Sequence, residues 1–249
     1  MTHGCIDGYS RVITFLNTST TNEAKAVLKL FVQACIGFGV PSRVRCDHGG
    51  ENMDVAIFMT LIHGAGRASV LAGRSVHNQR IERLWRDVAT EVTQYFYRLF
   101  YELEDEGTLD VSSELHLCAL HMTALPMINA QIQIFRHGWN SHRLRTEGNR
   151  SPEQIWLEGM LKNANSTHTA TAEVFAQAVS LDVRVEESLR HFNLNIEPFT
   201  PTTGLEPSTN TVTIDTRTTA RIQTALAGSD DLKVMYKTAL QILELHAST

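Results

Sequence analysis

The sequence contains no apolar run approaching the roughly 20 residues that a membrane-spanning helix needs, and its N-terminus lacks a basic stretch leading into a hydrophobic segment. A soluble intracellular protein, nuclear or cytoplasmic, with no membrane partner is therefore expected. Cysteine is sparse. Cys5, Cys35, Cys46 and Cys118 stand far apart, without the close pairing of a zinc site or a redox motif, so reduced structural thiols are expected. Positive charge is not in excess either. The 22 Lys and Arg face 27 Asp and Glu, which argues against a protein that coats nucleic acid by bulk charge. Also missing are an internal repeat, a Gly-rich phosphate loop, and a Ser or Cys nucleophile set beside His and Asp, so no small-molecule substrate is suggested.

What is present is unevenly distributed. Residues 1–162 carry 16 basic and 17 acidic side chains, whereas residues 163–249 carry 6 and 10. Seventeen of the basic residues are Arg, and "GRASVLAGRSVHNQRIERLWR" sets Arg67, Arg74, Arg80, Arg83 and Arg86 against the single Glu82. That stretch is a local basic patch in a chain long enough, at 249 residues, for one large domain or a domain with a tail.

The pattern of elements points to an α/β sheet with flanking helices. "HGCID" and "RVITFLNTS" read as a hairpin across "GYS", and "TNEAKAVLKLFVQACIGFG" as a helix with an Asn or Thr cap. "SRVRCD" is a short strand ending at Asp47, "NMDVAIFMTLIHGAG" a second helix and "ASVLAG" another short strand. A long helix is expected from Val76 to about Glu106, with Ile81, Leu84, Val88, Val92, Tyr95, Leu99 and Leu103 facing a core. A second runs from about Ser113 to Arg136 with Pro126 kinking it, and "SPEQIWLEGM" is a third, capped by Ser151 with Pro152 in its first turn. Residues 163–229 are expected to form a partly disordered linker, because 198–219 holds three of the six prolines and ten Ser or Thr. Residues 230–249 are expected to be an amphipathic C-terminal helix.

Asp47 and Glu82 carry the chemistry. A carboxylate at a strand end and another on a helix can form a hard-oxygen site for Mg²⁺ or Mn²⁺, able to activate water at a phosphoryl group. On spacing alone the plainer reading is preferred: a turn or cap aspartate, and a solvated glutamate among arginines. The histidines, with His116 and His121 or His137 and His142 off the one-turn interval, do not suggest zinc.

Three blocks alter that preference. "CIDGYSRVITFL", "FGVPSRVRCDHGGEN" and "SVHNQRIERLWRDV" resemble, in order and spacing, the integrase core of retroviruses, retrotransposons and related DNA transposons, over roughly residues 3–160. The resemblance implies a ribonuclease H-like fold, two divalent ions, and DNA strand transfer through an Asp, Asp, Glu triad. It makes Asp47 the second carboxylate and Glu82 the third, 35 positions on, with Asn78 and Gln79 where the family contacts DNA; Arg80, Arg83 and Arg86 of the basic patch are expected to bind DNA beside them. Asp7 does not fit as the first. It belongs to the later "DGYSR" block, so the first strand and its aspartate are expected to be missing and the chain inactive in strand transfer. The expectation is an N-terminally incomplete integrase-type core of transposon origin over residues 1–162, binding DNA through the arginines of residues 67–86 and forming a possible homo-oligomer. The alternative is a non-catalytic domesticated module for protein or DNA interaction.

Overall fold

The computed structural model describes residues 1–73, 78–164, 190–192 and 214–247. The chain opens with a hairpin, β1 (Thr2–Ile6) and β2 (Ile13–Thr18), paired antiparallel with an irregularity at Cys5 and Ile6. Its turn is built by Asp7. The carboxylate Oδ2 accepts from Ser10 N–H at 2.7 Å, Ser10 Oγ at 2.6 Å and Tyr9 N–H at 3.3 Å. Backbone bonds from Asp7 N–H to Val12 O and from Arg11 N–H to Asp7 O close the loop. Arg11 lies in the left-handed region, at φ 69°. An aspartate whose side chain replaces backbone partners in this way is a turn residue.

An edge strand exposes a row of backbone donors and acceptors, and β2 has its outer edge covered by a helix. From α5 (Glu114–Ser141), Asn129 accepts from Thr18 N–H and donates to Thr18 O, and Gln133 donates to Leu16 O. Arg136 donates to the carbonyls of Ile13 and Thr14, Asn140 bonds both Ile13 N–H and Ile13 O, and Trp139 Nε1 donates to Arg11 O. Residues 129, 133, 136 and 140 recur at helical spacing, so one face of α5 acts as a polar substitute for a neighbouring strand. The "WN" that precedes the "SPEQ" helix in sequence belongs to this ladder.

After β2 come α1 (Ala24–Phe38), β3 (Val44–Cys46), α2 (Met53–His63) and β4 (Val70–Ala72). Helix α1 starts at Glu23 with no side-chain cap; Thr21 Oγ1 instead accepts from Glu23 N–H, and Gly39 at φ 82° ends the helix. Strands β3 and β4 pair in parallel, and among the described residues no ladder joins them to β1–β2. The sheet is thus in two pieces, one antiparallel and one parallel. Both line a core with α1 and α2 that buries Phe15, Val27, Leu28, Phe31, Val32, Phe58 and Met59, while Cys5, Val44 and Val70 pack against it.

Next comes α3 (Gln79–Val88), one π turn (Ala89–Thr93) and α4 (Gln94–Asp105). The π turn corrects the expected core stripe. Its wider winding advances the phase, so Val92 is followed inward by Phe96, and Tyr95 is 65% exposed. Helix α5 continues without a break through Pro126 to Ser141, five residues beyond the expected end. Helix α6 (Pro152–Lys162) has the capping box of Ser151 and Gln154, with Pro152 in the first turn as expected.

The span expected to be a linker carries a helix of its own, α7 (Thr216–Leu226), capped by Asp215; residues 165–189 and 193–213 lie outside the described residues. Helix α8 (Leu232–Ala247) folds back beside it. Leu232, Tyr236, Ala239, Leu240 and Leu243 of α8 and Ile222 of α7 join the core formed by Leu84, Val88, Leu103, Ala119 and Ile132. A large side chain buried in this way contributes about 1.5–3 kcal/mol. Polar bonds orient the docking: Lys233 Nζ reaches Glu106 at 2.8 Å and Glu102 at 3.1 Å, and Tyr236 Oη bonds His116 Nδ1 at 2.9 Å. No described helix is long and apolar enough to cross a membrane.

Candidate nucleic-acid interface

Asp47 follows β3 directly, and β3 is half-buried, not the fully buried strand expected of an open α/β sheet. Asp47 Oδ1 accepts from Gly49 N–H at 3.2 Å and from Asn52 Nδ2 at 2.9 Å, so one oxygen organises the loop into α2, and Oδ2 makes no hydrogen bond among the described residues. Glu51 folds back over the same loop. A side chain at Gly49 would lie 2.2 Å from Glu51 Oε1, so the glutamate would have to swing off the loop to admit one. Both carboxylates stand close to Cys46, whose thiol is pushed up by burial first and by Asp47 and Glu51 second. Sequence reasoning missed Glu51, since its position four residues after Asp47 in "DHGGEN" does not encode the fold-back of its side chain.

The backbone carries the site on toward α3. Gly73 N–H donates to Cys46 O at 3.1 Å, which sets the end of β4 beside Asp47. From Gly73 to Asn78 the chain can reach at most about 18 Å, so the α3 N-terminus lies within that distance of the strand ends. Residues 74–77, including Arg74 of the basic patch, lie outside the described residues. Asn78 is the N-cap residue, without a side-chain cap bond, and its carbonyl accepts the first helical bond from Glu82 N–H at 3.1 Å.

Helix α3 is sharply two-sided. Leu84 and Val88 are buried, Ile81 and Trp85 pack against the same core, and Trp85 crosses β1 at Gly4. A Cβ at Gly4 would come within 2.9 Å of Trp85 and 2.7 Å of Leu16, so any side chain there would push both core residues aside. The opposite side presents Gln79, Arg80, Glu82, Arg83 and Arg86 to solvent. Arg80, Arg83 and Arg86 make no ion pair among the described residues, and Glu82 makes neither ion pair nor side-chain hydrogen bond there. Arg150, from the loop after α5, is otherwise occupied, bonding Glu158 at 2.6 Å and Glu147 O at 2.8 Å.

The geometry assembles the expected site unequally. It sets the α3 arginines and Gln79 together on one exposed face, and Asp47 and Glu51 together on one loop. Among the described residues Asp47 and Glu82 share no hydrogen-bond partner, and Asp7 is committed to its own turn. Among the described residues no three His, Cys, Asp or Glu converge as a metal-binding group. Asp47 Oδ2 and the exposed Glu82 carboxylate are hard donors for a divalent ion; a two-ion arrangement needs more carboxylates than these.

A family model described as Integrase core domain matches residues 1–170. No curated protein and no solved structure matches the chain.

Proposed function

Because the chain belongs to the integrase core domain family, whose fold is ribonuclease H-like, we propose that it is a DNA-binding protein of transposon origin that holds the duplex without joining strands. The observation that carries this reading is the row Arg80, Arg83 and Arg86 on the solvent side of α3, with no acidic partner among the described residues. Guanidinium groups left unpaired on a rigid helix are suited to phosphate oxygens, which they bind through charge-assisted bonds. Asn78 and Gln79, at the start of the same helix, are placed for neutral contacts to backbone or base edges. Arg80 is one turn ahead of the Arg83 and Arg86 side, so a phosphate track along the helix meets successive cations.

Relatedness to metal-dependent polynucleotidyl transferases does not by itself supply catalysis here. The family's reaction uses Mg²⁺ or Mn²⁺ on an Asp, Asp, Glu triad, and the residues described do not fit a pair of ions. Asp47 and Glu82 are the two positions that correspond to the triad; Asp7 is spent on the hairpin turn. Any ion held by Asp47 and Glu82 would keep most of its water and be bound weakly. We therefore assign these two carboxylates no reaction step.

Two assays test the reading. Binding of a labelled duplex should weaken by at least about tenfold in R80A/R83A/R86A, similarly for unrelated sequences, since phosphate contacts carry little sequence information. An end-joining assay of the full chain with Mn²⁺ should return unjoined DNA; robust joined product would overturn the non-catalytic part.

A further inference from the structure

The second half of the long helix exposes aromatic surface that the α3 DNA face does not use. Tyr97 and Tyr101, one turn apart on α4, are 61% and 50% exposed, with Oη atoms 2.9 Å apart and ring centroids at 4.8 Å. Glu104 lies close enough to raise the Tyr101 hydroxyl, after the bond to Tyr97. This surface is acidic. Glu91, Glu104 and Asp105 are exposed around the tyrosines against the single Arg98, while Glu102 already holds Lys233. A nucleic-acid backbone would be repelled here.

The complementary surface is on α7, outside the residues that match the family. Arg217 and Arg221, also one turn apart, flank a shallow groove of about 520 Å³ floored by Ala220, Ala225 and Ile242 with Thr224 at its end. Neither arginine makes a hydrogen bond or ion pair through its side chain among the described residues. Small floor residues leave room for bulky rings, and guanidinium groups favour tyrosine faces and carboxylates. The two Tyr and the two Arg are each spaced one helical turn, about 5–6 Å, so the stripes match in period as well as charge. The tyrosine hydroxyls bond each other, and Arg217 stands near the Asp215 cap, whose carboxyl it helps to lower.

We infer that the Tyr97–Tyr101–Glu104 stripe of α4 docks into the Arg217–Arg221 groove of a second copy of this chain. Reciprocal docking about a two-fold axis gives a closed dimer, and one-way docking gives a growing chain of copies. The surface is independent of the α3 arginines, so it stands or falls apart from DNA binding.

Sedimentation of the full-length protein from micromolar to millimolar concentration tests it. Association should be visible, and R217E/R221E and Y97A/Y101A, all at exposed positions, should each weaken it at least about tenfold with unchanged helical circular dichroism. Combining E104R with R221E should recover association that each single reversal loses. A wild-type protein that stays monomeric throughout overturns the proposal. So does an association that both double variants leave intact. Loss of DNA affinity in Y97A/Y101A without loss of association would assign the tyrosines to nucleic acid instead, and also overturns it.

Discussion

A carboxylate is read correctly only when its hydrogen bonds are counted. Asp7 stands near the start of a strand-like block and accepts three bonds, all from Tyr9 and Ser10. D7A should therefore lower stability by about 1–2 kcal/mol, measured by urea unfolding, with no change in DNA affinity. A comparable loss in DNA affinity at unchanged stability would mean the carboxylate faces the ligand. Tyr236 gives a second test. Burial, then the charges of Glu244 and Asp110, push its phenol up to about 12, and the hydroxyl bonds His116 Nδ1 and Thr108 O. Y236F keeps the ring in the core and should cost about 1 kcal/mol; a neutral result would mean that water replaces both bonds. Asp7's turn role was legible because spacing and block order separated it from Asp47. Glu51 was not, because a side chain folding back over a glycine depends on loop geometry that no periodicity encodes.

Elements were legible where local chemistry decides them. The hairpin, the strand before Asp47, α2 and the Ser151 capping box follow from β-branched runs, glycine stops and cap residues. The phase of α4 did not follow, since a π turn at Ala89–Thr93 is set by packing and displaced Tyr95 from the core in favour of Phe96. The α5 ladder was equally hidden: Asn129, Gln133, Arg136 and Asn140 look like an ordinary polar face until the edge of β2 lies against them. Asn140 is buried and bonds both polar groups of Ile13. N140A should cost about 1–3 kcal/mol, because the Ile13 N–H loses its partner while Ile13 O keeps Arg136 Nε, and amide exchange at Ile13 should accelerate; retained protection there would count against the ladder. Helix α7 was missed because Ser and Thr dominate its surroundings. Its cap, Asp215, is held below the ordinary value of 3.8 by its backbone bond to Thr218 and then by the Thr218 side chain. A carboxyl lowered by folding stabilises fully above the unfolded value and loses that stabilisation as pH falls through the folded one. Protection of the α7 amides should therefore decline first below pH 3.8; D215N should flatten that dependence.

For the whole molecule, residues matching the family form two small sheets with helices, completed by a C-terminal helical pair in which α8 packs on α5 and α7 packs on α8. The docking of α8 was foreseeable from its apolar stripe, though its partner was not, because contacts between residues 120 positions apart, such as His116 with Tyr236, leave no local trace. Electrostatics at this scale rests on distribution, since the net charge is −5 while the α3 face is cationic. The direct test of DNA binding is therefore the salt dependence of duplex affinity for the full-length chain. If Arg80, Arg83 and Arg86 each neutralise one phosphate, log K should fall against log salt concentration with a slope of about −2.7, and R80A/R83A/R86A should remove most of it. A slope near zero in the wild-type protein would contradict the account.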